Sequence, residues 1–186
     1  MTSETQGREL EGRVALVTGA TGGIGQAICV ELAAVGAAIA VHCHERRSEA
    51  EALMRQLQAQ GVAATVIVAD LTQADEAGRA VGEVVEALGG LDLLVNNAGV
   101  TLGGSSVEST SIEDWLWVTD INLHSVFYLC RAAIPELRAR GGGSIVNVAS
   151  NIVNSLPGGS AAYATTKAAV VALTKVLSKE VGHEGI

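Results

Sequence analysis

The sequence predicts a doubly wound α/β fold, a parallel sheet with helices on both faces. Three observations predict it. Short, continuously apolar runs recur at residues 14–18, 37–43, 63–69, 91–95 and 144–148. Stretches of helical spacing alternate with these runs. A glycine-rich turn closes the first run and opens the first helix. A strand apolar on both faces is covered on both, which marks a parallel sheet between two helix layers. In such sheets ligands bind outside the carboxyl ends of the strands. Another doubly wound topology would share the first two observations, so the turn carries the distinction.

The elements follow in order. A polar lead, residues 1–11, is expected to be flexible. Residues 24–35 have helical spacing after the glycine turn. Residues 48–60, rich in Ala, Glu and Gln, form a second helix that Gly61 stops. Residues 75–88 form a third, ended by Gly89 and Gly90. Ser111, followed by Glu113 and Asp114, has the pattern of an N-cap with an acidic first turn. The helix that it opens is expected to run through Trp115 and Asn122 to about Arg140. Glycines 141–143 then lead into the fifth strand, and a last helix carries Tyr163 and Lys167. No linker, low-complexity tract or solenoid repeat divides the chain, so residues 1–186 read as one domain.

Composition narrows the function. With 48% hydrophobic and 17% charged residues the chain buries a substantial core. Aromatic residues are only 3%, so that core is Ala, Val, Leu and Ile. A net charge of −8 argues against nucleic acid or an anionic membrane as the main partner. Cys29, Cys43 and Cys130 make no CxxC pair and are odd in number, which indicates neither a disulfide framework nor a zinc site. The polar N-terminus has no apolar core of a signal peptide, and the longest apolar stretch, 27–41, is broken by Glu31 and Gly36. A cytoplasmic protein is expected.

The chemistry concentrates in two places. Residues 18–25, TGATGGIG, lie between the first strand and the first helix. Glycines there let the backbone turn sharply and approach a pyrophosphate, which a helix N-terminus attracts. The second place is residues 150–167, SNIVNSLPGGSAAYATTK. Tyr163 and Lys167 are four residues apart on one helix and so share a face. A free tyrosine titrates near pH ~10. A neighbouring ammonium favours the phenolate, bringing a phenol into proton-transfer range. Ser150 is placed to hold the oxygen whose proton Tyr163 gives or takes.

T-G-x-x-x-G-x-G at 18–25, Asp70 after strand three, Asn96-Asn97-Ala98-Gly99 after strand four, Asn122, Ser150, Tyr163 and Lys167 together resemble the short-chain dehydrogenase/reductase family. The likeness is to its compact branch and runs from about Gly12 to the last residue. It implies a Rossmann-like fold and an oxidoreductase that interconverts a small-molecule carbonyl and a secondary alcohol with NAD(P)(H). By resemblance, Gly19, Thr21, Gly22, Gly23, Ile24 and Gly25 form the pyrophosphate turn. Asp70 and Leu71 take the adenine, Asn97 lies on the adenosine side, and Lys167 bonds the nicotinamide ribose beside Tyr163. Ser150, Tyr163 and Lys167 are the acid/base set, with Asn122 holding a water that links Lys167 to a proton relay. The family also implies a homodimer or homotetramer built on the helices that begin near Ser111 and Ala161. The outward residues expected there are Trp115, Trp117, Val126 and Phe127 on one helix, and Ala168, Val171 and Ala172 on the other.

The sequence departs from the family in stopping before its sixth and seventh strands, which leaves strand five as an expected apolar edge. A dinucleotide-binding module without turnover is therefore the alternative to an active enzyme. Cofactor preference turns on the end of strand two. NAD-preferring relatives carry an acidic residue where this chain has Cys43, followed by His44. His44, Arg46 and Arg47 offer positive charge to a 2′-phosphate, so NADP(H) is expected over NAD(H). Gly22, where many NADP-preferring relatives have a basic residue, weakens that preference. His42 and His44 could face one side of a strand, but no third ligand is placed near them, so no metal is expected.

Overall fold

Strands β1 (Val14–Val17), β2 (Ala38–Cys43), β3 (Ala64–Val68), β4 (Leu93–Asn96) and β5 (Ser144–Asn147) form one sheet in the computed structural model, which describes residues 9–186. The order is β3-β2-β1-β4-β5 and every pairing is parallel. This is the doubly wound Rossmann-like architecture that the alternating pattern predicts. Most of the expected lead lies outside the described residues. Leu10 does not: its N–H donates to Val35 O at 3.0 Å, so the flexible lead expected over 1–11 does not extend to it.

Strand pleating explains the two layers, because successive side chains point to opposite faces. Val14 and Leu16 of β1 join the core under α3 (Ala74–Leu88), α5 (Ser125–Ala139) and α7 (Ala161–Val181). Ala15 and Val17 join the core under α1 (Gly23–Ala34) and α2 (Arg47–Ala59). All four are buried, which is why the strand shows no polar alternation. On the α1/α2 face β5 is less well covered: Val146 is 51% exposed.

The expected long helix after Ser111 is divided. Ser111 caps α4 (Ile112–Thr119), accepting from Asp114 N–H at 3.0 Å. A five-residue π-helical segment, Asp120–His124, follows, and α5 continues to Ala139 with Pro135 inside it. A π segment inserts a residue into the helical ladder and re-aims a side chain. Here it carries Asn122, which is fully buried. One turn expected as loop is helical, α6 (Ile152–Ser155), and it ends at Leu156 with φ 42.

Asp92 pins the amino ends of the strands. Its carboxylate, almost wholly buried, accepts from Val14 N–H at 2.9 Å and pairs with Arg13 at 2.8 Å and Arg140 at 3.2 Å. Arg140 also donates to Gly12 O, so the end of α5 is tied to β1 and β4 together. Burial pushes the Asp92 carboxyl upward, but Arg140, Arg13 and the Val14 amide outweigh it and hold it below the usual aspartate range. The polar groups at this end are thereby satisfied internally, leaving the carboxyl ends for ligand.

Candidate active site

The switch in strand order falls between β1 and β4, which leave the centre of the sheet towards opposite sides. Thr18 holds them together there. Its Oγ1 donates to Val95 O at 3.3 Å and accepts from the amides of Asn97 at 2.9 Å and Ala98 at 3.0 Å. Asn97 Nδ2 reaches back to the carbonyls of Thr18 at 2.8 Å and Gly19 at 3.3 Å. This approach is closed to side chains. A Cβ on Gly19, whose φ is +61, would lie 2.9 Å from Ala98 Cα, and one on Gly25 would lie 2.4 Å from Gly19 O.

Above this junction opens a cleft of about 780 Å3. It is lined by Gly19, Thr21, Gly22, Gly23, Ile24 and Gly25 on one side, His44 and Asp70 with Leu71 on another, and Asn97 on a third. Each of these was singled out from the sequence, and one cavity brings all of them together. The first turn of α1 faces it. Gly22 at the N-cap offers no side-chain acceptor and the first turn holds no acidic residue, unlike the capped, acidic start of α4. The opening N–H groups of a helix have no intrahelical partner and attract an anion. Gly23 has open space where a Cβ would stand, and no contact within the protein requires a glycine there. A phosphate brought close to the backbone would require one, so the loop fits a dinucleotide. A second hollow, on α4, is lined by Glu113, Asp114, Leu116, Trp117 and Asp120, and its acidity suits no such anion.

Beyond β3, Asp70 Oδ1 accepts from Thr72 N–H at 3.0 Å and Thr72 Oγ1 at 2.7 Å. Burial raises the Asp70 carboxyl, but these bonds and the charge of His44 more than offset it, so the group stays ionised as an acceptor. Of the two arginines expected near a 2′-phosphate, Arg46 lines the cleft. Arg47 does not: its Nε is paired with Glu51 at 2.8 Å, an i,i+4 bridge along α2. Cys43 is buried and His44 exposed, so the histidine is the one at the rim.

Ser150, Tyr163 and Lys167 are not on the lining of that cleft. Lys167 stands beside it, across Gly99, with the Tyr163 ring near its ammonium. Lys167 is buried, donates to Val148 O at 2.7 Å and sits 5.9 Å from the centroid of the Tyr163 ring. Its Nζ is 3.4 Å from the place where a Cβ on Gly99 would be, and Gly99 lines the cleft. Glycine at 99 therefore acts as a window between the ammonium and the cleft. Burial holds Lys167 below the ordinary lysine range. Ser150, two residues beyond Val148, accepts from Ile152 N–H at 3.2 Å, which leaves its hydroxyl proton to donate. The Tyr163 hydroxyl has no hydrogen bond among the described residues.

Asn122 holds the wall. Its Oδ1 accepts from Val100 N–H at 2.8 Å, and its Nδ2 donates to Val100 O at 2.8 Å and Thr166 Oγ1 at 3.3 Å. Both amide protons are thus engaged in fixing the loop after β4 to α7. Sequence reasoning missed three contributors. Thr18 heads the glycine motif, but its tie to β4 is not legible there, and Trp117, expected at a subunit interface, lines the cleft with Ile121 and Ser125. His42 was weighed only as a metal ligand. Among the described residues no group of three His, Cys, Asp or Glu side chains is placed to hold a metal, and no helix is long and apolar enough to cross a membrane.

A doubly wound sheet with an uncapped helix opening on the switch-point cleft defines a dinucleotide-binding α/β protein. A family profile described as short chain dehydrogenase matches residues 13–186. The chain is 38% identical over 172 residues to 3-oxoacyl-[acyl-carrier-protein] reductase FabG of Staphylococcus aureus, covering 92% of this chain and 70% of the relative. It is 36% identical over 177 residues to acetoacetyl-CoA reductase of Allochromatium vinosum, covering 94% and 71%. A crystal structure of a dehydrogenase/reductase from Sinorhizobium meliloti superposes with a TM-score of 0.91 at 37% identity, over 96% of this chain and 70% of that one. The chain belongs to the short-chain dehydrogenase family and is an oxidoreductase of that class.

The two kinds of glycine in the loop separate in experiment. Gly25→Ala should lower stability by about 1–3 kcal/mol, because its methyl has no room. Gly23→Ala should leave stability unchanged or raise it by up to about 1 kcal/mol, yet weaken dinucleotide binding. Urea denaturation and a cofactor titration on both variants check this, and equal behaviour would overturn the assignment.

Proposed function

We propose that this protein interconverts a carbonyl compound and a secondary alcohol with NADP(H), using Tyr163 as the proton donor and acceptor. The observation that carries the reading is the placement of Lys167 behind Gly99, with the Tyr163 ring near it, against a cleft whose loop suits a pyrophosphate. The first turn of α1 would hold the pyrophosphate, Asp70 and Leu71 the adenine end, and Lys167 the nicotinamide ribose. When bound, the nicotinamide supplies or takes the hydride. The protein's own residues handle the proton. Ser150 Oγ donates to the substrate oxygen and orients it. Tyr163 gives its phenolic proton to that oxygen in reduction. The Lys167 ammonium then stabilises the phenolate left behind. Asn122, through Val100 and Thr166, keeps the loop after β4 in register with α7, so the two halves of the site stay aligned.

The relatives named for a 3-oxoacyl carrier-protein substrate and for acetoacetyl-CoA make a 3-oxoacyl thioester the first carbonyl to try. With acetoacetyl-CoA, Tyr163→Phe should lose roughly 10²–10⁴-fold in turnover, the usual worth of general acid catalysis. Cofactor affinity should be little changed. Near-normal turnover in that variant would sink the role given to Tyr163. Unaltered protein that binds cofactor but turns over no carbonyl would favour the module without turnover.

Preference for NADP(H) rests on His44 and Arg46 at the rim and on the absence of a carboxylate at position 43, with Glu45 nearby tempering it. Arg46→Ala should weaken NADPH binding by about three- to ten-fold, the worth of an exposed charge-assisted contact, and NADH binding little. Arg47→Ala, which removes only the Glu51 pair, is the control. Titration of both cofactors at low salt reads it, and tighter NADH binding in the unaltered protein would reverse the preference.

The same reading includes a homodimer or homotetramer through α5 and α7. Phe127 and Val176 are 50% and 53% exposed, with Ala168 and Ala172 also outward, whereas Val126, expected among these, is buried in the core. Light scattering at micromolar concentration should give at least twice the mass of the chain. A well-folded monomer would count against the pairing.

A further inference from the structure

His42 is a polar residue, 3% exposed, next to the carboxyl end of the apolar strand β2. No step of the proposed chemistry uses it. Its surroundings are not those of a packing residue, because both ring nitrogens are engaged. Gly19 N–H donates to His42 Nδ1 at 3.2 Å, and His42 Nε2 lies 3.1 Å from Ala69 O. The donor at Nδ1 is a backbone amide, so Nδ1 carries no proton. The carbonyl partner at Nε2 requires that this nitrogen carry one. The tautomer is thereby determined by the two partners. Burial lowers the group to about 4, which keeps the ring neutral and the arrangement constant over the physiological range.

The backbone of the same residue acts in the same direction. Ala20 N–H donates to His42 O at 2.9 Å. One residue of β2 thus takes two successive amides of the glycine loop, those of Gly19 and Ala20, so neither is free for a ligand. Gly22 N–H is taken by Gly19 O, so among the described residues the loop amides left for a ligand are those of Thr21 and of the start of α1, from Gly23 to Gly25. The other ring nitrogen fixes Ala69, the residue before Asp70. His42 therefore spans the interval between the loop suited to a pyrophosphate and the carboxylate suited to an adenine.

We propose that His42 is a positioning residue for the dinucleotide, holding the glycine loop in place through the Gly19 N–H that its Nδ1 accepts. This rests on the cofactor reading above. It goes beyond that reading by assigning a positioning function to a residue of the cleft wall that the reading gives no role.

The side chains that mimic one ring nitrogen at a time make the test. An asparagine oxygen takes up the place of Nδ1, and a glutamine amide takes up that of Nε2. His42→Asn should therefore keep the Gly19 contact, whereas His42→Gln and His42→Leu should lose it. NADPH and NADH titrations by calorimetry should show His42→Asn within about two-fold of the unaltered protein. The other two should be weaker by about ten-fold, in line with the loss of one buried amide acceptor. Amide hydrogen exchange at Gly19 should follow the same order, slow in the unaltered protein and His42→Asn and fast in the others. Thermal unfolding identifies variants that are not folded, and His42→Gln carries the comparison if His42→Leu is one of them. Equal affinity in His42→Asn and His42→Gln, with unequal Gly19 exchange, would overturn the positioning role and leave the cofactor reading standing. Failure of the unaltered protein to bind either dinucleotide would overturn both.

Discussion

The approach of β1 and β4 at Thr18 is the constraint on which the rest of the site depends. A threonine hydroxyl has one proton and two lone pairs, and here all three are used, on Val95 O and on the amides of Asn97 and Ala98. Asn97 closes the circuit through the carbonyls of Thr18 and Gly19. The two loops are so close that a methyl group at 19 or 25 would overlap backbone. That proximity brings the start of α1, the end of β3 and the loop before Val100 to one cleft. A doubly wound sheet always has a switch point. What makes this one a site is that its polar groups are satisfied inward while the helix start is left open outward.

How much of this was legible follows from what each signal depends on. Strand and helix placement depends on local periodicity, and the continuous apolar runs located all five strands to within two residues at either end. The glycine loop and the Tyr163–Lys167 pair were legible because steric room and helical spacing are properties of neighbouring residues. The π segment was not, since an inserted residue leaves the apolar pattern of 111–140 intact while rotating everything after it. Val126 and Phe127 show the consequence: adjacent residues, both apolar, of which one is core and the other is half exposed. Arg47 shows a different limit. Its charge was evident, but its partner Glu51 is found only by following the helix face.

The motifs also conceal how labour is divided. By resemblance Asn97 is expected on the adenosine side of the cofactor and Asn122 is expected to hold a relay water. In the structure their amides are engaged within the protein, Asn97 with the carbonyls of Thr18 and Gly19 and Asn122 with the backbone of Val100 and the hydroxyl of Thr166. A buried amide that bonds backbone on two elements fixes their separation, at the cost of desolvating a group that must then stay paired. Histidine at 42 does the same between β1 and β3. These residues do not add binding energy so much as remove alternatives for the loops they tie.

Lys167 shows why that rigidity matters to the chemistry. An ammonium in a buried place is destabilised, and its lowered proton affinity reflects it. Val148 O offsets part of that cost at 2.7 Å, and the face of the Tyr163 ring stands near. In water the same charge would be screened and would do little for a phenolate several ångströms away. Behind Gly99, with protein rather than solvent around it, that charge is screened less, which is what the role proposed for Lys167 requires. The gain exists only while Asn122, Thr166 and Val148 hold α7 against the sheet, because a shift that admitted water would restore the screening. The polar ties around the site and the electrostatics within it are therefore one device: the first keeps out the solvent that would weaken the second.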